Sequence, residues 1–483
     1  MAAAVIDLAL LLLLDRILLV AVLAAVVLLA LAWIARAEWP LAFLFAGMPL
    51  IASFGWEHEG VARVVIGGRL FFLLAWAATV LQARASGARA AASVGLGGAV
   101  RRAVGDPVSL AVLGLTLAIL LGVGRSLAPG YGAEKVTGFV LGNVFFYFGA
   151  ILLWPVWRCP GRLDRLLGAL LIFGGLFVAV GLASLTGVSA ALGLGPGFRG
   201  PVGAVPGRLA YLGLDPIWTA RLLGMWIVLL TWVVARGKLP SALGALLAVP
   251  AMMLIVRTGS RGPLVALVLA PLALLLLLPR RSLRRHLWHT FRRTLLPAAG
   301  VAMVLFWVVM PEGERGTWLA ALMRTPLGAL FGSGELAWAP AAETNLLRDP
   351  SALYRAEIIR RAWGLATEAL PWGAGTGSFP ALLFLRDLRL YPHNIEAELL
   401  IEQGLPGLLF FGLFIGLLWR RAVALVRHTP SHAWLFVLFA MAFLNAQVSG
   451  DLGANAALWL WGGLIGSLWL AHRDGGRVPQ EAG

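Results

Sequence analysis

Apolar residues run along this chain in long unbroken stretches, without the two-residue alternation that marks a half-buried strand or an outer-membrane barrel. A helix needs about 20 such residues to cross a hydrocarbon layer about 30 Å thick. The pattern predicts crossings over 12–34, 40–54, 64–82, 107–123, 138–157, 163–186, 219–235, 241–256, 262–279, 295–310, 402–419, 434–448 and 455–471. Asp15 and Arg16 interrupt the first stretch and the second is short. About twelve to fourteen crossings follow. The first run starts near Leu8, has little basic leader and continues past the length of a cleavable signal, so it is expected to be the first crossing.

The expected fold is therefore all-α, a polytopic membrane helix bundle with one large helical loop. Residues 1–310 form the first part of the bundle, 311–401 the loop between spans, and 402–483 the last spans and a tail. Composition agrees, with 60% of residues hydrophobic and 13% charged. The net charge of +16 would suggest nucleic acid in a soluble domain. Here the basic residues fall between apolar runs, as the positive-inside rule requires, so membrane lipids are the expected surroundings and nucleic acid is not an expected partner. Cys159, the single cysteine, cannot form an intrachain disulfide.

The basic loop 280–293 carries Arg280, Arg281, Arg284, Arg285, Arg292 and Arg293 and no acidic residue. It is expected on the cytoplasmic side. Alternation puts Arg236 with Lys238, the turn from Arg158 to Arg165, the connection from Arg84 to Arg102, and Arg420, Arg421 and Arg427 on the same side. Segments 187–218, 257–261 and 311–401 then share the opposite side. Within the last, apolar Ile358, Ile359, Ala362 and Leu365 are spaced as on a helix over 354–368, which Pro371-Trp372-Gly373 ends. The GAGTG that follows, 373–377, lacks a preceding strand and a lysine, so it reads as a tight turn rather than a phosphate loop.

Chemistry concentrates on that opposite side. Arg261, in RTGSRGPL, stands at the entrance of a span, where an arginine either snorkels to headgroups or clamps a phosphate. Gly259 and Gly262 flank Ser260 and Arg261 and allow close backbone approach, while Pro263 suits a first helical turn whose free N–H groups favour an anion. Arg355 stands in ALYRAEII, either paired with Glu357 or facing a ligand. His393 is open to a capping role or to service as a general base near neutral pH, with Glu398 and Glu402 one turn apart as possible supports. Arg199, Arg208, Tyr211 and Asp215 face the same compartment by position. No HExxH, paired Asp or Cys cluster is present, which leaves no metal site to expect.

Four segments together, TGSRGPLVAL (258–267), YRAEIIRRAW (354–363), LPWGAGTGSF (370–379) and PHNIEAELLIEQGLPGLLFF (392–411), resemble the O-antigen ligase and O-antigen polymerase (Wzy) superfamily. The likeness covers about the C-terminal 200 residues. It implies a cofactor-free, metal-independent glycosyltransferase of the bacterial inner membrane, working on the periplasmic face. The donor would be a glycan on undecaprenyl pyrophosphate, and the acceptor a sugar of lipid A-core for a ligase or another lipid-linked glycan for a polymerase. By position, Arg261 and Arg355 would bind the pyrophosphate and His393 would activate the acceptor hydroxyl, with Ser260, Asn394, Glu398, Arg199 and Arg208 in support. The compact loop and the PHN segment favour the ligase. A transporter or flippase of lipid-linked glycan is the reading from another class, and the absence of an internal repeat speaks against it.

Overall fold

The computed structural model describes Glu38, 96–158, 161–185, Leu209, Tyr211, 214–277, 281–309 and 350–475. The spans expected at 12–34, 40–54 and 64–82, together with Cys159, Arg199, Arg208 and the 311–349 part of the large loop, lie outside the described residues. Every regular element among the described residues is helical.

The helices are α1 (Leu96–Val104), α2 (Pro107–Val123), α3 (Pro129–Arg158), α4 (Arg162–Leu185), α5 (Pro216–Ala235), α6 (Ser241–Thr258), α7 (Arg261–Leu277), α8 (Arg281–Val309), α9 (Pro350–Glu368), α10 (Phe379–Phe384), α11 (Ile395–His428), α12 (Ala433–Ala446) and α13 (Ala456–Gly475). Five of them, α3, α4, α5, α6 and α11, are long and apolar enough to cross a membrane. The bent pair α1 and α2, which turns by 70°, would make a sixth.

Two groups of helices share one core. In the first, α5 packs against α4, α6, α7, α8 and α12. Its start follows local rules: Asp215 accepts from Ile217 N at 2.7 Å and Trp218 N at 2.8 Å, and Pro216 occupies the first turn. In the second, α11 packs on α2 and α13, and α13 on α3 and α12. Asp106 caps α2 by accepting from Val108 N at 3.1 Å while Arg421 of α11 grips both its oxygens at 2.7 and 2.8 Å. A second use of one carboxylate thus locks two helices at the end of the bundle opposite the large loop.

Three expected boundaries move. The crossing expected from 138 begins at Pro129, because Lys135, which looks like loop, is buried against two glutamates. The 280–293 stretch, expected as a loop, is the first half of α8 over its described part. It is helical because Thr290 and Thr294 bury one face while Arg285, His289, Arg292 and Arg293 stay exposed. The crossing expected from 402 is the second part of α11, a helix broken at Gly404 (φ 67°, ψ −154°).

Candidate functional site

The PHN segment enters α11 through a defined cap. Asn394 Oδ1 accepts from Ala397 N at 2.9 Å, and Asn394 Nδ2 donates to Gln447 Oε1 at 3.1 Å. Gln447 in turn donates to Glu396 Oε1 at 2.9 Å. His393, just before the cap, has φ 61° and sets its ring edge-on to Tyr391 at 4.5 Å. The histidine is half-buried, one residue before Asn394, whose side chain reaches the turn between α12 and α13.

The RTGSRG turn reaches the same turn through Gly262. Gly259 closes α6 in the left-handed conformation (φ 63°), buried Ser260 follows, and α7 begins at exposed Arg261. Gly262 lies so close to Val448 that an added Cβ would stand 2.8 Å from its Cγ2. Gln447 holds Asn394 and Glu396, and Val448 faces Gly262, so a two-residue strip joins the PHN segment to the Arg261 turn. The end of the 187–218 segment joins the same end of the bundle, where Leu209 N donates to Arg257 O at 2.8 Å. Tyr211 and Asp215 have architectural work there, Tyr211 donating to Phe177 O at 3.1 Å and Asp215 capping α5.

Arg355 lies in α9, whose face at Ile358, Ala362 and Ala366 packs on Ala397, Leu400 and Ile401 of α11. The Arg355 side chain is outside the described part. Its suggested partner Glu357 is engaged by Arg360 and Arg361 at 2.7 Å each, on the exposed side. Those two arginines hold the Glu357 carboxyl down at about 2.

Residues 243–412 match the family model described as O-antigen ligase. Over this segment, about a third of its length, the chain is similar to the O-antigen ligase family. No curated protein matches the chain. The matched O-antigen ligase segment holds the Arg261 turn, α9 and the PHN segment, and stops short of the 447–448 strip that joins them.

The GAGTG residues form the seat of the broken helix. Gly373, Gly375 and Gly377 all have positive φ, and Cβ atoms on them would strike the backbone of Glu402, Arg125 and Gly132. Ala374 N and Gly375 N donate to Ile401 O and Glu402 O at 2.7 and 3.0 Å, while Thr376 N donates to Gly122 O at 3.0 Å. The glycines serve chain crossing, which is why this is a turn and not a phosphate cradle.

Beneath it, Lys135 of α3 bridges Glu398 (2.8 Å) and Glu402, all three side chains fully buried. Glu398 Oε1 also accepts from Leu452 N at 3.0 Å, and Tyr131 donates to Asp451 at 3.0 Å. The ammonium stands between the carboxylates where a cation would bind, so these glutamates brace α11 against α3 and the 451 turn. Sequence reasoning missed Lys135 and, on α5, the buried Arg221. A lone charge inside an apolar run was the available signal for Arg221, whereas Lys135, beside Glu134 and ahead of the expected span, gave none.

A groove of about 1010 Å³ runs along the outer side of α11 from Pro371 and Trp372 past Leu405, Leu409 and Leu413 to Arg420. From Leu405 to Arg420 a helix rises about 22 Å. At its upper end exposed Arg125 donates to Trp372 O at 3.1 Å.

Proposed function

We propose that the protein is a glycosyltransferase that moves a glycan from undecaprenyl pyrophosphate to a sugar hydroxyl of lipid A-core on the periplasmic side of the inner membrane. The observation that supports this most is the meeting of the Arg261 turn and the His393 segment on either side of Gln447 and Val448. A guanidinium at a helix start suits a diphosphate, because its fork and the free N–H groups of the first turn both favour an anion. Arg355 on α9 is assigned to the same diphosphate, and Ser260, Asn394, Glu398, Arg199 and Arg208 to support. An apolar groove about 20 Å long suits a polyprenyl chain lying along a span.

In the reaction, the acceptor hydroxyl oxygen attacks the anomeric carbon and the bond from that carbon to the diphosphate oxygen breaks. His393 takes the hydroxyl proton, and the electron pair leaves on undecaprenyl diphosphate, whose charge the arginines neutralise. A single displacement inverts the anomeric configuration. Neither a metal nor a cofactor enters the scheme.

The test is transfer in detergent with purified protein, lipid-linked donor and lipid A-core. His393→Ala and Arg261→Ala are expected to abolish transfer with folding near wild type; full activity in either overturns the assignment. A trapped glycosyl-enzyme would replace the inverting mechanism. Chain growth from donor alone would make the protein a polymerase, and transfer without a bilayer eliminates a flippase.

A further inference from the structure

Arg221 lies in the second turn of α5 and is 3% exposed. Its Nη1 donates to Asn455 Oδ1 at 3.1 Å, and its Nη2 to Asn445 O at 3.0 Å and Ser449 O at 2.8 Å. Trp218 stacks beneath the guanidinium at 5.7 Å. These hydrogen-bond partners are uncharged. A full charge taken out of water and hydrogen-bonded only to neutral acceptors is costly, even with Asp215 within electrostatic reach. An aliphatic residue would fill the space without that cost.

The acceptors show what the charge is placed to do. Asn445 O belongs to the last turn of α12, where free carbonyls and the helix dipole attract a cation. Asn455 stands immediately before α13. The fork therefore closes the turn between these helices by both ends. Between its anchors lie Gln447, which holds Asn394 and Glu396, and Val448, against which Gly262 packs. Arg221 also lies within electrostatic reach of Tyr391, whose ring lies against His393.

We propose that Arg221 is a positioning residue for glycan transfer, fixing the 447–448 strip and with it the separation between the Arg261 turn and His393. The proposal rests on the functional reading above. Both Arg221 and the strip fall outside the family-matched residues, so the site is completed by elements beyond that segment. Lysine cannot reproduce the role, because a point charge does not span three acceptors as a planar fork does.

The experiment compares the full-length wild type, Arg221→Lys, Gln447→Ala and the double variant in detergent, measuring thermal midpoint, kcat and donor KM. For Arg221→Lys we expect a folded protein whose kcat per folded molecule falls about 100-fold, the scale of a misplacement near 1 Å, with little change in donor KM. Gln447→Ala should act in the same direction, and the double variant should be no worse than the poorer single one, because both act through one strip. If Arg221→Lys does not fold, Asn455→Ala, which releases the Nη1 contact together with the Asn455 Nδ2 bond to Asp451 O and leaves both Nη2 bonds in place, is expected to lower kcat in the same way. Activity that merely tracks folded fraction, or losses that add independently, would overturn the proposal. A wild type unable to transfer glycan would instead overturn the functional reading and this inference with it; a transferring wild type with unchanged kcat in the variants removes only the inference.

Discussion

At His393 the backbone adopts φ 61°, a conformation uncommon outside glycine, although His, like Asn and Asp, adopts it more readily than most residues. Holding it there costs about 1–3 kcal/mol, and the cap at the next residue supplies part of the restraint. Asn394 has two jobs that substitutions can separate. Asn394→Ala is expected to lose about 1 kcal/mol of stability with the cap and to slow transfer through the lost tie to Gln447. Asn394→Ser should restore most of the thermal midpoint but not the rate, since serine caps the helix without reaching Gln447. A serine variant with full rate would show that the Gln447 tie is dispensable. His393 and Arg261 were legible as candidates because polar residues at a span edge are conspicuous. Arg221 and Lys135 were not, because their purpose appears only with their partners, and those come from segments 224 and 267 residues away along the chain.

Among the elements, the break in α11 shows how a helix is divided by its neighbours. Leu405 N donates to Pro371 O at 2.8 Å, so the incoming chain supplies an acceptor inside the helix. A Cβ on Gly404 would stand 2.1 Å from that same oxygen. Gly404→Ala is expected to cost about 1–3 kcal/mol from the backbone conformation alone, with a further loss as Pro371 is displaced. Thermal unfolding measures it, and a wild-type midpoint would show that the break relaxes freely. The helix over 354–368 was readable from periodicity, and it begins at Pro350 with Ile358 and Ala362 buried as expected. The ends of α3 and α8 were misread because charge was taken as a mark of loop. In α3 the charge is neutralised inside the bundle, and in α8 it lines the exposed face of a helix.

For the molecule as a whole, charges sort to the two ends of the helices. Asp164 joins Arg236 and Lys238 at one end, and Lys135 joins Glu398 and Glu402 at the other. Removing one partner of a buried ion group leaves the others uncompensated. Lys135→Met is therefore expected to destabilise by about 3–5 kcal/mol, and adding Glu398→Gln and Glu402→Gln should recover part of it. Unfolding in detergent reads both, and a neutral single variant would show that water reaches the cluster.

The amino-acid sequence by itself determined the helical, apolar character of the chain and singled out the segments proposed to hold the chemistry. Those depend on hydrophobic runs and local turn chemistry, which are written along the chain. Only the tertiary structure decided that Gln447 and Val448 bridge the Arg261 turn and His393, that Lys135 braces the two glutamates, and that Arg221 closes the turn beneath. Hydrogen bonds and ion pairs between distant segments have no period in sequence. They exist only once the helices have packed and brought their ends together.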